Sequence, residues 1–135
     1  MRLIGSRFHA ILDYTIGLFS IALPILLALE GQRETMVLLG FGLVIILYSL
    51  LTDYQLGMSQ KIPMWLHFRI DQFMGLMIII SPWVMKFNES IYLPHVLLGL
   101  ALIVNSLLAS DEILTFLRFI RHRLFGKRFR MTSQH

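Results

Sequence analysis

The chain has 135 residues, of which 56% are hydrophobic and 15% charged, with a net charge of +4. This excess of apolar over charged residues excludes disorder and argues against a water-soluble domain, and the length allows one domain. The absence of cysteine excludes disulfides, thiolate metal sites, iron–sulfur clusters and cysteine nucleophiles.

A helix needs about 20 mostly apolar residues to cross a ~30 Å hydrocarbon core. Residues 8–29 supply the first such run, broken by His9 and Asp13 near its start. Arg2 and Arg7 precede it as in a signal sequence. However, Asp13 interrupts it and residues 27–30 offer no small-x-small cleavage site, so retention is expected. The second run, 35–52, has no charge inside it. The third, 64–85, carries His67, Arg69 and Asp71 in its first half. The fourth, 91–110, opens with Pro94 and His95. Backbone groups in lipid must be satisfied internally, so these runs predict helices. The short connections between them predict an antiparallel, all-α four-helix bundle. Residues 1–112 then form a membrane domain, and 113–135 form a basic, amphipathic tail.

Lysine and arginine placement sets orientation. Arg2, Arg7, Lys61 and six tail residues (Arg118, Arg121, Arg123, Lys127, Arg128, Arg130) lie on one side. The other side has only Arg33 and Lys86, each near acidic residues. Both termini are therefore expected in the cytoplasm, with the chain in a bacterial plasma membrane. The tail is expected to contact anionic lipid rather than nucleic acid.

The chain repeats itself at a period of 58 residues. His9, Asp13, Gly17, Leu18, Ile21 and Pro24 recur as His67, Asp71, Gly75, Leu76, Ile79 and Pro82. The following helices match more loosely. Leu38-Leu39-Gly40 is set against Leu97-Leu98-Gly99, Ser49-Leu50-Leu51 against Ser106-Leu107-Leu108, and Asp53 against Asp111. The unit is a helical hairpin, about 8–54 and again about 64–112. An even number of spans per unit predicts parallel repeats related by a pseudo-two-fold axis along the membrane normal.

Ser81-Pro82-Trp83 late in the third helix, the two His-x3-Asp starts, Thr52-Asp53-Tyr54 and Pro94-His95 together resemble the SPW repeat family of small membrane proteins. The first copy departs from that pattern, with Leu23-Pro24-Ile25 in place of Ser-Pro-Trp. The resemblance covers nearly all of residues 5–112. It implies topology and no particular activity.

At ~100° per residue, the His, Asp, Gly and Pro of each copy fall on one narrow stripe. Polar groups in a span face the protein interior, so the stripes of the first and third helices are expected to face inward. Each proline leaves a carbonyl four residues earlier, Ser20 or Ile78, without its helical donor. Ser81 stands close enough in sequence to help fill that gap. The cytoplasmic end thus gathers His9, Asp13, His67 and Asp71, with Asp53, Asp111, Arg69 and Tyr14 as supporting residues.

Three chemistries suit such a cluster. In a structural network, each Asp accepts hydrogen bonds from His, Arg69, Tyr14 or loop amides, and the chain is a structural or accessory membrane protein. In a metal site, the two His–Asp pairs give two nitrogen and two oxygen donors for a divalent ion such as Zn, Mn or Fe. In a haem site, His9 and His67 are axial ligands. Proton or ion transport by an oligomer is a further alternative. A membrane-protein partner or a second copy of the chain is compatible with each. No phosphate-binding loop, HExxH helix or G-x-S-x-G elbow is present, so a known hydrolytic or nucleotide-dependent activity is not expected. Gly40, Gly42 and Gly99 are expected at helix contacts, and His95 at an interface.

Overall fold

Helix-forming apolar runs and turn signals divide the chain much as expected. The computed structural model describes residues 3–110. Asp111 and the basic tail lie outside the described residues. The elements are α1 (Ser6–Leu26), α2 (Gln32–Leu51), α3 (Met64–Val84) and α4 (Leu93–Ala109). Among the described residues there is no strand, only an isolated bridge between Thr52 and Ile62. By length and composition, α1 and α2 are able to cross a membrane, and α4 is apolar but shorter. The polar residues His67, Arg69, Asp71 and Gln72 lower the hydropathy of α3.

The helix ends explain the boundaries. Pro24 and Pro82 sit inside the last turns of α1 and α3. Past each, the chain closes with a left-handed residue, Ala28 (φ 47°) or Lys86 (φ 58°). Leu29 N–H then reaches the Pro24 carbonyl at 2.9 Å, and Phe87 N–H reaches that of Pro82 at 2.9 Å. This six-to-one bond at a left-handed residue is a Schellman closure, and the chain makes it twice, 58 residues apart. Ser81 Oγ donates to the Ile78 carbonyl at 2.7 Å, which supplies the donor that Pro82 removes. At the end of α2 the loop folds back. Met58 N–H donates to Leu50, and Lys61 and Ile62 N–H to Leu51, so the last carbonyls of the helix are satisfied.

Glycines set the helix contacts. A Cβ on Gly42 of α2 would stand 2.6 Å from the Gly17 carbonyl of α1, and one on Gly75 of α3 would stand 2.7 Å from the Gly99 carbonyl of α4. The counterpart of Gly99 is therefore Gly42 and not Gly40, whose surroundings are open. Setting Leu38-Leu39-Gly40 against Leu97-Leu98-Gly99 is thus two residues out of register with the packing. A register of 57, which also pairs Ser49 with Ser106, is the one the packing follows.

α1 and α2 pack closely, as do α3 and α4. The two hairpins meet along the lesser contacts of α1 with α4 and α2 with α3. Apolar grooves of about 430 Å³ (α1/α4) and 460 Å³ (α2/α3) run along these two seams. Polar residues are buried at both ends of the bundle, and many large apolar residues are exposed. His9, Asp13, His67, Asp71, His95 and Asn105 are buried, while Leu18, Ile25, Met36, Phe73 and Val84 are exposed. Leu38, Ile78, Leu98 and Leu23 form one buried apolar layer, and Ile45, Tyr48 and Leu102 another.

Candidate metal centre

The first turns of α1 and α3 each carry a His four residues before an Asp, so the two side chains share a helix face. Both faces turn inward. His9, Asp13, His67 and Asp71 all have 0% exposure. His67 Nε2 lies 3.0 Å from Asp13 Oδ2 and 3.4 Å from Asp71 Oδ2. His9 Nε2 lies 3.2 Å and 3.4 Å from the same two oxygens. Nitrogen and oxygen thus alternate around one point, and the four residues offer ligand atoms that all lie within 4.8 Å of one another.

The outward-facing atoms are held by α2 and α4. Tyr48 donates its phenol proton to Asp71 Oδ1 at 2.5 Å. Asn105 donates its amide to Asp13 Oδ1 at 2.8 Å and to the His9 carbonyl at 3.2 Å. Thr52 Oγ1 donates to the Tyr48 carbonyl at 2.8 Å and lies 2.8 Å from His67 Nδ1. A hydroxyl has one proton. Since Thr52 gives its proton to Tyr48, His67 Nδ1 must be the donor in the second bond. Three of the four cluster residues therefore have one atom fixed from outside and the other aimed inward. His9 Nε2 and Asp71 Oδ2 have no well-formed hydrogen-bond partner, nor do His9 Nδ1 and Asn105 Oδ1. Buried polar atoms are rarely left so.

Aromatic rings close the centre. Phe68 stands edge-on to His9 with ring centroids 5.2 Å apart. Tyr54, from the α2–α3 loop, lies against His67 at 5.5 Å and is itself buried. Burial pushes the Tyr54 phenol above its ordinary pKa, so it stays protonated at neutral pH.

The supporting residues fare differently. Tyr14 bonds the Leu56 carbonyl at 3.0 Å, pinning the loop rather than a carboxylate. Asp53 is exposed. Arg69 is exposed and contacts Gln72. Neither the Tyr14–Leu56 bond nor the Arg69–Gln72 bond involves a cluster carboxylate, and Asp111 lies outside the described residues. The donors that hold the carboxylates are Tyr48 and Asn105, which sequence reading did not single out. The signal was present. Tyr48 and Asn105 each precede a matched serine, Ser49 or Ser106, by one residue.

A haem does not fit. His9 and His67 are in edge contact, with centroids 5.2 Å apart and planes at 89°. Both Nε2 atoms face the same carboxylate oxygen, so no flat macrocycle passes between them. His95, in the first turn of α4, is fully buried at the opposite end of the bundle. There its Nε2 is 3.4 Å from the Glu34 carbonyl and its ring packs on Phe87. Glu34 is buried too and accepts from Ser90.

Four helices running in alternate directions, with a buried His/Asp centre where two begin and two end, define an all-α protein built from two helical hairpins. The model of the SPW repeat domain matches residues 7–109, and the chain belongs to the SPW repeat family. Comparison with curated proteins and with solved structures found no match.

Proposed function

We propose that the chain is a small multi-pass membrane protein whose inward-facing His/Asp centre holds one divalent transition-metal ion. All four helices span the bilayer in this reading, and the two hairpins are related by a pseudo-two-fold axis along its normal. Support for the membrane comes from the apolar exterior around a polar interior, and from Trp65 and Trp83. Both are exposed, and their spacing is about 27 Å of helix, enough to place one at each interface.

The observation that carries the metal reading is the direction of the four inner atoms. His9 Nε2, Asp13 Oδ2, His67 Nε2 and Asp71 Oδ2 converge, and two of them lack hydrogen-bond partners. The four N···O separations are 3.0–3.4 Å, and the four ligand atoms lie within 4.8 Å of one another, a span that one ion with bonds of ~2.0–2.4 Å bridges. The Nδ1–H of His67 on Thr52 is the outer contact that metal-bound histidines usually make. The ion takes one His–Asp pair from each hairpin and so joins α1 to α3, which makes it a structural tie within an accessory protein. Transport is less well supported, because two packed apolar layers lie between this centre and Glu34–His95.

Elemental analysis of detergent-purified full-length protein tests the reading. Stoichiometric zinc, iron or manganese is expected, and it is lost when His9 and His67 are both changed to Ala. Metal-free wild-type protein whose stability ignores chelator overturns it.

A further inference from the structure

We infer that Tyr48 and Asn105 determine which ion the centre takes, by holding both carboxylates to a single coordinating oxygen and so selecting a four-coordinate ion of the Zn²⁺ class. This rests on the metal reading of the centre.

A carboxylate binds a metal through one oxygen or two. Large oxygen-seeking ions such as Ca²⁺ take six to eight ligands and often use both oxygens of one carboxylate. Here the second oxygen of each Asp is already engaged. Asp71 Oδ1 accepts the Tyr48 phenol at 2.5 Å, and Asp13 Oδ1 accepts the Asn105 amide at 2.8 Å. Asn105 is further tied to the His9 carbonyl at 3.2 Å, so its amide cannot swing away without losing a second bond. Tyr48 is 7% exposed and Asn105 3%, so water does not compete for either donor. Each carboxylate is left with one free oxygen, Oδ2, turned inward. Two imidazole nitrogens and two such oxygens make four ligands, the number and donor type that suit tetrahedral Zn²⁺. A ring of Phe68, Tyr54 and the buried helix faces leaves little access for the water ligands that Mn²⁺ or Mg²⁺ would keep.

The two donors do the same task from corresponding places on α2 and α4, although one is a phenol and the other an amide. What they share is a hydrogen aimed at a carboxylate. This is a selectivity role, distinct from that of Thr52, which orients a ligand for any ion.

Co²⁺ substitution and metal competition test this in the full-length protein in detergent. Wild type loaded with Co²⁺ should show the intense visible absorption of a four-coordinate site. In Tyr48→Phe and in Asn105→Leu the freed oxygen admits bidentate binding. Absorption should then weaken toward that of higher coordination, and the preference for Zn²⁺ over Mn²⁺ should narrow about tenfold. Thr52→Val should weaken both ions together and leave the ratio unchanged. The outcomes separate cleanly. Wild type that binds no metal overturns the metal reading itself. Stoichiometric binding with a weak, six-coordinate Co²⁺ spectrum overturns only the four-coordinate selection. A four-coordinate spectrum and an ion ratio that persist in both variants overturn the role of Tyr48 and Asn105.

Discussion

Thr52 fixes the tautomer of His67. Its single hydroxyl proton goes to the Tyr48 carbonyl at 2.8 Å, and the oxygen is left to accept from His67 Nδ1 at 2.8 Å. The Nε2 atom is thereby presented inward, 3.0 Å from Asp13 Oδ2. Thr52→Val keeps the shape and removes the acceptor. Metal affinity should fall about tenfold or more, as for other lost outer-sphere partners, and Thr52→Ser should restore most of it. Chelator competition measures the affinity. Unchanged affinity in the Val variant would remove Thr52 from the site.

Asp13 separates a metal centre from a purely structural network. Asp13→Asn keeps an acceptor for Asn105 but removes the anion that neutralises the ion, so metal binding should fall sharply. Asp13→Leu also removes the carboxylate that Asn105 Nδ2 and His67 Nε2 face, leaving each with fewer partners in a buried site, at a cost of up to about 1–3 kcal/mol for each group left unsatisfied. Thermal unfolding with and without chelator reads both effects. If the Asn variant matches wild type and neither responds to chelator, the network is structural and the ion is absent.

Gly42 and Gly40 are two residues apart in α2 and should behave oppositely. A methyl group on Gly42 meets the Gly17 carbonyl at 2.6 Å and the Ile21 side chain at 2.8 Å. Gly42→Ala should therefore cost about 1–3 kcal/mol by overpacking. Around Gly40 there is nothing within 4 Å, so Gly40→Ala should stabilise the helix by up to ~1 kcal/mol. Midpoints of thermal unfolding in detergent compare them. Equal effects at the two positions would show that the α1–α2 contact does not depend on close backbone approach.

The left-handed Ala28 after α1 is exposed. A non-glycine residue there carries a penalty of roughly 1 kcal/mol. Ala28→Gly should raise stability by an amount of that order, less the extra entropy of glycine in the unfolded chain. A clear loss of stability instead would mean that the closure after Pro24 is held by contacts of the alanine methyl.

Orientation is tested by labelling. The native chain has no cysteine, so single cysteines report cleanly. Gln32 and Glu89 are exposed at the ends of the hairpin turns. Cysteine at either should react with an impermeant reagent from outside right-side-out vesicles, and cysteine at Ser133 should not. Labelling of the tail alone would invert the topology.

Much of the fold is legible in the residues because it is local. Runs of apolar residues give the helices, and prolines with short polar links give their ends. The 58-residue recurrence places Pro24 and Pro82 alike, and only the structure shows the Schellman closure after each. The inward stripe of His9, Asp13, His67 and Asp71 follows from helical geometry and the cost of burying charge in lipid. The partners of those residues are another matter. Arg69 and Tyr14 looked suitable because they carry donors near the cluster in sequence. However, Arg69 lies on an exposed part of α3, and Tyr14 points to the loop.

The sequence by itself determined that there are four helices, where each lies to within about three residues at either end, and which two His–Asp pairs share a face, since each depends on neighbours within a few turns. Only the tertiary structure decided that Tyr48 and Asn105 supply the donors, that Gly42 rather than Gly40 makes the contact, and that His95 is buried. These depend on the rotation and register of one helix against another. Backbone contacts at Gly17–Gly42 and Gly75–Gly99 set that register, and a shift of one residue there turns a different side of α2 or α4 toward the centre.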